Sequence, residues 1–416
     1  MDDKCLKSAL DIDYVSQADR NVAIMVSCID RNMKILYNGD MIKRIYQDKL
    51  ESMTVLGKVL VLYGPRRVGK TTLIETYLST TYKGHVYKST GENIQLREVL
   101  ESSDFSRIVP YFSSYDLVFI DEAQKIENIG NGLKILVDQL PNTKVIATGS
   151  SSFDLSNKVG EPLVGRQFTY KLFPVSVDEI SSTFGRAYVE ENLNNLLVYG
   201  SYPEVLNAAS FEEKRRYLVQ IRDSYLFKDI LELEGLKNSR KISDLLRLVA
   251  YQVGKEVSLT ELAGALEISK NTVARYLDLL EKSFVLINLR GFSRNLRSEV
   301  TKSSKYYFYD NGVRNAVIDN FGFVGNREDI GALWENFLVV ERLKKQTYDA
   351  IYTNNYFWRT WDKKEIDWVE DRGGNLYGYE FKYSKDQVSE PKKWKETYPG
   401  AEYKVVNKTN YFEFVG

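Results

Sequence analysis

The stretch from Gly64 to Thr71, which reads GPRRVGKT, constrains this chain more than any other part of its sequence. A nucleotide phosphate needs several converging backbone N–H donors, and glycines let the backbone wrap that closely around it. The stretch follows a continuously apolar run over residues 59–63 and precedes a helical pattern over residues 71–78. Because a phosphate-binding loop joins a strand to a helix in this way, the sequence predicts that ATP binds at this loop.

Two residues of the loop have predicted roles that depend on their side chains. Lys70 is expected to reach the β- and γ-phosphates and to act in catalysis, and Thr71 is expected to place its hydroxyl on Mg2+. The full set of residues expected to bind ATP with its Mg2+ is Gly64, Pro65, Arg66, Arg67, Val68, Gly69, Lys70, Thr71, Thr72, Asp121 and Thr148.

Acidic and polar residues end two later strands. The apolar run 117–120 ends in Asp121 and Glu122. Asp121 suits the carboxylate that holds Mg2+ through water, and Glu122 suits the catalytic base that polarises the attacking water. Thr148 ends the following strand, where a polar side chain can sense the γ-phosphate. For Asp121 and Glu122 the alternative is a strand that ends in solvated acids, and for Thr148 it is a simple serine-rich turn.

Arg166 is a further candidate catalytic residue. An arginine there could act on the nucleotide of a neighbouring subunit, which would require a homo-oligomer. The alternative is an ordinary surface arginine, and the sequence does not decide between the two.

Composition narrows the class of protein. A chain of 416 residues predicts two or three domains. Two cysteines outside any CxxC pair and a single histidine argue against disulfides, zinc and histidine-based metal sites. Lysine plus arginine equals aspartate plus glutamate at 57 each, so contact with nucleic acid would need local basic patches. Without a long apolar stretch or a signal sequence, we expect a cytoplasmic protein with no membrane partner.

Secondary-structure patterns divide the chain. Apolar strands alternate with helices from residue 58 to about 200, which predicts a parallel sheet covered on both faces. Leucine-rich helical spacing then dominates. Ser258 and Ser269 fit the caps of two helices in a helix–turn–helix unit, and residues 290–305 between two strand-like runs resemble a wing. The pattern therefore predicts a winged helix-turn-helix.

Polar side chains on the second helix of this unit predict contact with DNA. The candidates on the helix are Lys270, Asn271, Thr272, Arg275 and Tyr276, and those on the wing are Arg290, Arg294, Arg297, Lys302 and Lys305. Asp278, Glu281 and Glu299 offset this positive charge. The alternative is a winged helix that contacts only protein.

A second constellation of charged residues lies near the C-terminus. Asp367 and Glu380 fall in two runs of alternating polar and apolar residues, which predict adjacent strands joined by a turn at residues 371–374. Carboxylates on adjacent strands can bind a second divalent cation, Mg2+ or Mn2+, and Lys382 can activate water beside them as a catalytic residue. Glu335, on the preceding helix, could complete the metal shell. The alternative is a solvated strand face.

Several motifs together resemble the AAA-type P-loop ATPases of bacteria and archaea that carry a C-terminal DUF4143-like region. The resemblance rests on VLYGPRRVGKTTLI, LVFIDEAQKI, VIATGSSSFDLS, the Gly165-Arg166 and Leu172-Phe173-Pro174 pair, and VYGSYPEVL. It implies an ATPase module joined to a winged-helix segment and a nuclease-like module. Asp367, the pair Glu380 and Lys382, and Glu335 also resemble the acid, the ExK pair and the helical glutamate of PD-(D/E)xK nucleases, although the proline of that motif is absent.

These predictions combine into an α/β chain with a P-loop parallel-sheet ATPase domain, a helical and winged-helix middle and a C-terminal α/β nuclease-like domain. The expected segments are an extension over residues 1–40, the ATPase domain over 41–205, the helical and winged-helix segment over 206–310 and the nuclease-like domain over 311–416. The predicted function is an ATP-hydrolysing protein that acts on DNA. The alternative is an ATP-dependent switch that binds a protein or DNA partner without nuclease activity.

Overall fold

The computed structural model describes residues 42–150, 163–224, 239–293, 304–384 and 388–416. All of them belong to one unit, residues 42–416. The predicted N-terminal extension lies outside the described residues. So do residues 294–303 of the predicted wing, which include the charged residues Arg294, Arg297, Glu299 and Lys302.

A five-stranded parallel sheet with the order β2-β3-β4-β1-β5 forms the first part of the fold. Its strands are β1 (Val59–Tyr63), β2 (Val86–Thr90), β3 (Leu117–Asp121), β4 (Lys144–Gly149) and β5 (Gln167–Lys171). In β1, Leu60 and Leu62 pack into one core cluster while Val59 and Val61 pack into another, so both faces of the strand are buried. The predicted α/β fold with a parallel sheet is confirmed. The strand β5 is one that the sequence pattern did not indicate.

Helices cover this sheet and lead into the middle of the chain. They are α1 (Leu50–Met53), α2 (Lys70–Thr80), α3 (Ile94–Glu101), α4 (Phe105–Phe112), α5 (Ile129–Gln139), α6 (Val177–Phe184), α7 (Arg186–Tyr199), α8 (Pro203–Asn207) and α9 (Phe211–Gln220). Leu73 of α2 joins one core cluster and Leu133 of α5 joins the other, so the two helices pack on opposite faces of the sheet. In the part of the chain that the structure describes, no helix is both long and apolar enough to cross a membrane.

A helix–turn–helix unit beside a β-hairpin follows. Its elements are α10 (Ser239–Tyr251), β6 (Glu256–Val257), α11 (Leu259–Leu266), α12 (Lys270–Lys282), β7 (Leu286–Gly291) and β8 (Ser304–Phe308). The Ser258 hydroxyl accepts a hydrogen bond from the backbone N–H of Glu261, and the Ser269 hydroxyl accepts one from that of Thr272. Both predicted caps therefore form and fix the starts of α11 and α12. β8 pairs antiparallel with both β7 and β6.

The hairpin belongs to a seven-stranded mixed sheet with the order β12-β11-β10-β9-β7-β8-β6. The further strands are β9 (Asn354–Arg359), β10 (Glu365–Arg372), β11 (Asn375–Phe381) and β12 (Glu402–Val406), and the further helices are α13 (Asn311–Val317), α14 (Ile330–Tyr348), α15 (Lys392–Thr397) and α16 (Tyr411–Val415). The helix–turn–helix unit and the C-terminal region thus share one sheet. The divisions at residues 205 and 310 stay predictions.

β10 and β11 form the predicted hairpin, but β10 does not alternate regularly. Gly373 and Gly374, both at positive φ, make the turn between the two strands. The pairing register between β10 and β9 shifts between Ile366 and Val369. These two residues pack into the same hydrophobic cluster, whereas Trp368 packs into a different one. The predicted alternation is wrong at this point because a β-bulge changes which face each side chain takes.

Candidate nucleotide site and C-terminal carboxylate cluster

Backbone geometry at the end of β1 forms the predicted phosphate loop. Gly64 has a φ of 150°, and a Cβ there would lie 2.1 Å from the carbonyl oxygen of Leu172, which follows β5. Only a glycine permits so close an approach. Gly69, at a φ of 92°, directly precedes α2, whose first residue is Lys70. The unpaired N–H groups at the start of α2 therefore lie beside the loop, where they can donate to an anion.

The Lys70 side chain folds back over its own loop. Its Nζ donates to the carbonyl oxygens of Gly64 at 3.0 Å and of Pro65 at 2.8 Å. Burial lowers the pKa of Lys70 to about 8, although the charges of Glu122 and Asp121 oppose the shift. A phosphate beside Nζ would accept the same N–H groups and would favour the charged ammonium.

Asp121 connects the loop to the neighbouring strands at the carboxyl edge of the sheet. Its Oδ2 accepts a hydrogen bond from Thr71 Oγ1 at 2.9 Å, and its Oδ1 accepts a short one from Thr148 Oγ1. The backbone N–H of Glu122 donates to the same Thr148 hydroxyl at 3.3 Å. Three residues that the sequence predicted separately, Thr71, Asp121 and Thr148, thus form one hydrogen-bonded group.

The Glu122 carboxylate is held by side chains that the sequence pattern did not single out. It accepts hydrogen bonds from Gln124 Nε2 and, at 3.2 Å, from Ser150 Oγ. Gln124 Nε2 also donates to Ser150 Oγ at 2.9 Å. The signal that could have found them is position, since Gln124 lies two residues after Glu122 and Ser150 directly follows β4. The backbone at Glu122 is left-handed, with a φ of 48°.

Arg44 is another residue that the sequence pattern did not single out, and it hydrogen-bonds to the phosphate loop. Its buried guanidinium donates to Glu179 Oε1 at 2.9 Å, to the carbonyl of Phe173 at 2.7 Å and, through a short hydrogen bond, to the carbonyl of Val68. Glu179 is itself buried and also accepts a hydrogen bond from the backbone N–H of Ser176 at 2.8 Å. Arg44 therefore connects the phosphate loop to Phe173, two residues after β5, and to the first turn of α6.

Three other residues predicted to bind the nucleotide, Arg66, Arg67 and Thr72, lie in different surroundings. Arg66 Nε donates to Ser150 Oγ at 3.4 Å, so it lies beside the Glu122 group. Arg67 is exposed, and its guanidinium lies 5.5 Å from the centre of the Tyr217 ring. Thr72 is also exposed. Their predicted contacts with nucleotide stay predictions.

Arg166 lies directly before β5 and forms an ion pair within its own chain. Its Nε is 2.7 Å from Asp138 Oδ1 on α5, and its side chain is 39% exposed. An action on a neighbouring subunit would require the guanidinium to leave Asp138, and this role stays a prediction.

The surface of α12 carries part of the set predicted to contact DNA. Lys270, Asn271 and Arg275 are exposed, as is Arg290 on β7. Tyr276 is only 5% exposed and packs in the core. Its predicted contact with DNA is therefore wrong, because position 276 falls on the buried apolar side of α12.

Lys305 was also predicted to lie on the basic wing, and that placement is wrong. The residue is 1% exposed. Its Nζ lies 3.4 Å from Glu335 Oε1 and forms a closer ion pair with Glu365. Burial would lower the pKa of Lys305, but the charges of Glu335, Asp367 and Glu365 outweigh burial and raise that pKa above its ordinary value. The wing has ended before this point, since β8 begins at Ser304 and turns Lys305 towards α14 and β10.

The four predicted C-terminal residues do lie near one another. Lys382 Nζ donates to Glu380 Oε1 at 2.6 Å, and Tyr307 Oη donates to Glu335 Oε1 at 2.7 Å. Burial raises the pKa of Glu335 to about 7, and the charge of Asp367 adds to the increase. The charge of Lys305 opposes it. Burial and the charge of Asp367 likewise raise the pKa of Glu380 to about 7. The carboxylates therefore interact across α14, β10 and β11. We call Glu335, Glu365, Asp367 and Glu380 the carboxylate cluster.

As arranged, the carboxylate cluster does not fit a divalent metal ion. Across the described ranges, no group of three or more His, Cys, Asp or Glu side chains is placed to hold a metal. Mg2+ requires about six oxygen ligands in near-ideal geometry, whereas Lys305 and Lys382 already bind carboxylate oxygens of the cluster. One oxygen, Oε2 of Glu380, is buried without a hydrogen-bond partner. The predicted metal-binding roles of Glu335, Asp367 and Glu380 stay predictions.

Known protein families match three successive parts of the chain. The model described as an AAA domain matches residues 56–181. Two domains of unknown function, DUF8612 and DUF4143, match residues 190–323 and residues 330–414. The first match contains the whole phosphate loop with its Asp121 and Thr148 partners, and the last contains the carboxylate cluster.

Individual relatives share sequence over most of the chain. An uncharacterized protein of Mycobacterium tuberculosis is 28% identical over 331 residues, which cover 78% of this chain and 70% of the relative. Uncharacterized proteins of Methanocaldococcus jannaschii and Haemophilus influenzae are 23% and 26% identical, and the matches cover 85% and 76% of this chain and 80% of each relative.

Two solved structures show weaker overall likeness. AMPPCP-bound DnaA from Aquifex aeolicus is 14% identical with a TM-score of 0.27, and the match covers 65% of this chain and 90% of DnaA. Drosophila ORC bound to AT-rich DNA and Cdc6 is 14% identical with a TM-score of 0.25, covering 74% of this chain and 99% of the matched one. Scores this low carry no conclusion about function. The phosphate loop and the family matches identify residues 56–181 as an AAA-type P-loop domain and residues 330–414 as a DUF4143 region.

Proposed function

We propose that the chain binds Mg-ATP at the loop of residues 64–71 and hydrolyses it. The observation that carries the proposal is the Asp121 carboxylate, which accepts hydrogen bonds from Thr71 on α2 and from Thr148 on β4. A carboxylate beside the hydroxyl of a phosphate loop is the arrangement that holds Mg2+ in P-loop proteins. When bound, Mg2+ would neutralise charge on the β- and γ-phosphates. Thr71 and Asp121 would hold it, and Thr148 would sense the γ-phosphate.

Lys70 and Glu122 have complementary roles in this proposal. Lys70 Nζ exchanges the carbonyls of Gly64 and Pro65 for phosphate oxygens. Glu122, oriented by its hydrogen bond from Ser150, polarises the attacking water.

The test of ATP binding is equilibrium titration of a fluorescent ATP analogue against wild type and Lys70→Ala. We expect the variant to lose binding. Lys134→Ala, which removes an exposed lysine on α5, should bind as wild type does. Nucleotide binding that survives Lys70→Ala would contradict the assignment of the loop.

Arg166 is proposed to complete the site of a neighbouring subunit. Mixing Arg166→Ala chains with Lys70→Ala chains tests this. If sites are shared between subunits, the mixture should differ in ATP hydrolysis from the average of the two variants measured alone. A hydrolysis rate equal to that average would contradict the shared site and would indicate that Arg166 is a structural residue paired with Asp138.

We propose further that the helix–turn–helix unit and its hairpin act as a winged helix on DNA. The support is the exposed edge of α12, where Lys270, Asn271 and Arg275 lie together near the start of the helix. Such residues can donate to phosphates and base edges. The double variant Lys270→Ala/Arg275→Ala should weaken binding to labelled duplex DNA and reduce its salt dependence by about one ion per lost phosphate contact. Lys282→Ala, on the same helix but paired with Asp278, is the matched control.

The chain as a whole fits an ATP-dependent switch that binds DNA or a protein partner. A metal-dependent nuclease is the second candidate, because Asp367, Glu380 and Lys382 lie close together. It would require a divalent cation to displace the lysines that now pair with the cluster. Labelled single-stranded, duplex and branched DNA, incubated with Mg2+ or Mn2+ with and without ATP, distinguishes the two. The switch predicts no cleavage while ATP is hydrolysed. Cleavage that Asp367→Ala and Lys382→Ala both abolish would establish the nuclease instead.

A further inference from the structure

A buried lysine occupies the carboxylate cluster. Lys305 Nζ contacts Glu335 and Glu365, and it interacts electrostatically with Asp367 as well. The Lys305 side chain is 2% exposed, and its ammonium lies 5.2 Å from the centre of the Phe357 ring. An ammonium with so many carboxylates around it stays charged at neutral pH, so a full positive charge is built into the cluster.

Lys382 and Lys305 differ in how far their side chains can move towards solvent. Lys382 bonds only Glu380 among the carboxylates, and its side chain is 33% exposed, so it can turn towards solvent. Lys305 cannot turn towards solvent in this way, because its side chain is 2% exposed and its strand β8 is paired on both sides within the sheet. Arg359 adds another fixed charge, with its guanidinium 2.8 Å from Glu256 and 3.7 Å from Glu365.

A divalent cation among the same carboxylates would lie a few ångströms from the Lys305 ammonium. Like charges at that distance in a buried site repel strongly, because little water screens them. The cation would also have to displace Lys305 from oxygens that it now contacts. Glu380 Oε2 is buried without a hydrogen-bond partner.

We propose that Lys305 is a built-in counter-cation that replaces a divalent metal ion among Glu335, Glu365 and Asp367. The native cluster then binds neither Mg2+ nor Mn2+, and its lysine instead joins β8 of the helix–turn–helix unit to α14 and β10. The proposal concerns this cluster alone and holds whether or not the chain hydrolyses ATP or binds DNA.

Electron paramagnetic resonance of Mn2+ with the full chain, without nucleotide, tests the proposal. The proteins are wild type, Asp367→Asn, Lys305→Met and the double variant Lys305→Met/Asp367→Asn. Wild type and Asp367→Asn should give the same Mn2+ titration. Lys305→Met should gain one Mn2+ site that wild type lacks, and adding Asp367→Asn should remove that site. Lys305→Arg keeps the charge and should gain nothing.

Two results would overturn the proposal. One is Mn2+ binding by wild type that Asp367→Asn abolishes, which needs no lysine variant and so remains decisive even if Lys305→Met does not fold. The other is a folded Lys305→Met, checked by circular dichroism and thermal melting, that gains no Mn2+ site.

Discussion

The strongest prediction about stability concerns Arg44. Replacing it with methionine keeps an unbranched apolar side chain but removes the donors to Glu179, Phe173 and Val68. Breaking a buried ion pair by removing one partner costs about 3–5 kcal/mol. Glu179 keeps two backbone donors, Ile45 at 2.8 Å and Ser176 at 2.8 Å, which lessens the cost, while the two carbonyls that lose a donor increase it. We therefore expect Arg44→Met to lower the free energy of unfolding by about 4 kcal/mol.

Denaturant unfolding followed by tryptophan fluorescence measures this cost. The neighbouring Lys43→Met is a matched control, because Lys43 pairs with Asp48 on the surface and both side chains are more than half exposed. It should cost less than about 0.5 kcal/mol. In a double-mutant cycle, Glu179→Gln should cost less in the Arg44→Met background than in wild type, by about 2 kcal/mol. A cost below about 1 kcal/mol for Arg44→Met, or strictly additive costs, would refute the structural role of this pair.

Two further predictions use other parts of the fold. Gly200→Ala should lower the free energy of unfolding by at least about 3 kcal/mol, because a Cβ there would lie 2.0 Å from an Asp310 carboxylate oxygen. Gly185→Ala, also at positive φ but in open space, should lower it by only about 1 kcal/mol. Equal losses of melting temperature in the two variants would contradict the packing argument. Burial lowers the pKa of Lys171 to about 7, against the charge of Glu281. The unfolded chain keeps this proton up to about pH 10, so wild-type stability should rise by up to ~1.4 kcal/mol per pH unit between about pH 7 and pH 10. Lys171→Met should lack that increase when unfolding is measured at two pH values in this window.

Local motifs predicted residues that the structure brings together, because Thr71, Asp121 and Thr148 meet at one edge of a parallel sheet. The loop, the end of β3 and the end of β4 each carry a short polar signal, and parallel strands bring these ends together. Arg44 gave no such signal. Its partner Glu179 is 135 residues away along the chain, and nothing in the local pattern says that the two meet.

The sequence misplaced Lys305, the β-bulge in β10 and Tyr276 because their positions depend on contacts with other elements. Lys305 was counted as a surface charge because lysines are seldom buried, yet its burial depends on Glu335 and Glu365, which lie on other elements. The β-bulge in β10 likewise depends on pairing with β9, which a period-2 pattern does not encode. Tyr276 was predicted to contact DNA because the Ser269 cap indicates where the helix begins but not which of its sides is buried.

The most direct test of the central claim is the rate of phosphate release from Mg-ATP by wild type and Glu122→Gln, with ATP-analogue affinity measured on the same samples. If Glu122 polarises the attacking water, wild type hydrolyses ATP and the variant keeps its nucleotide affinity but loses at least about 100-fold in rate. Wild type that binds ATP without turnover, or a Glu122→Gln variant that hydrolyses ATP at the wild-type rate, would contradict the account.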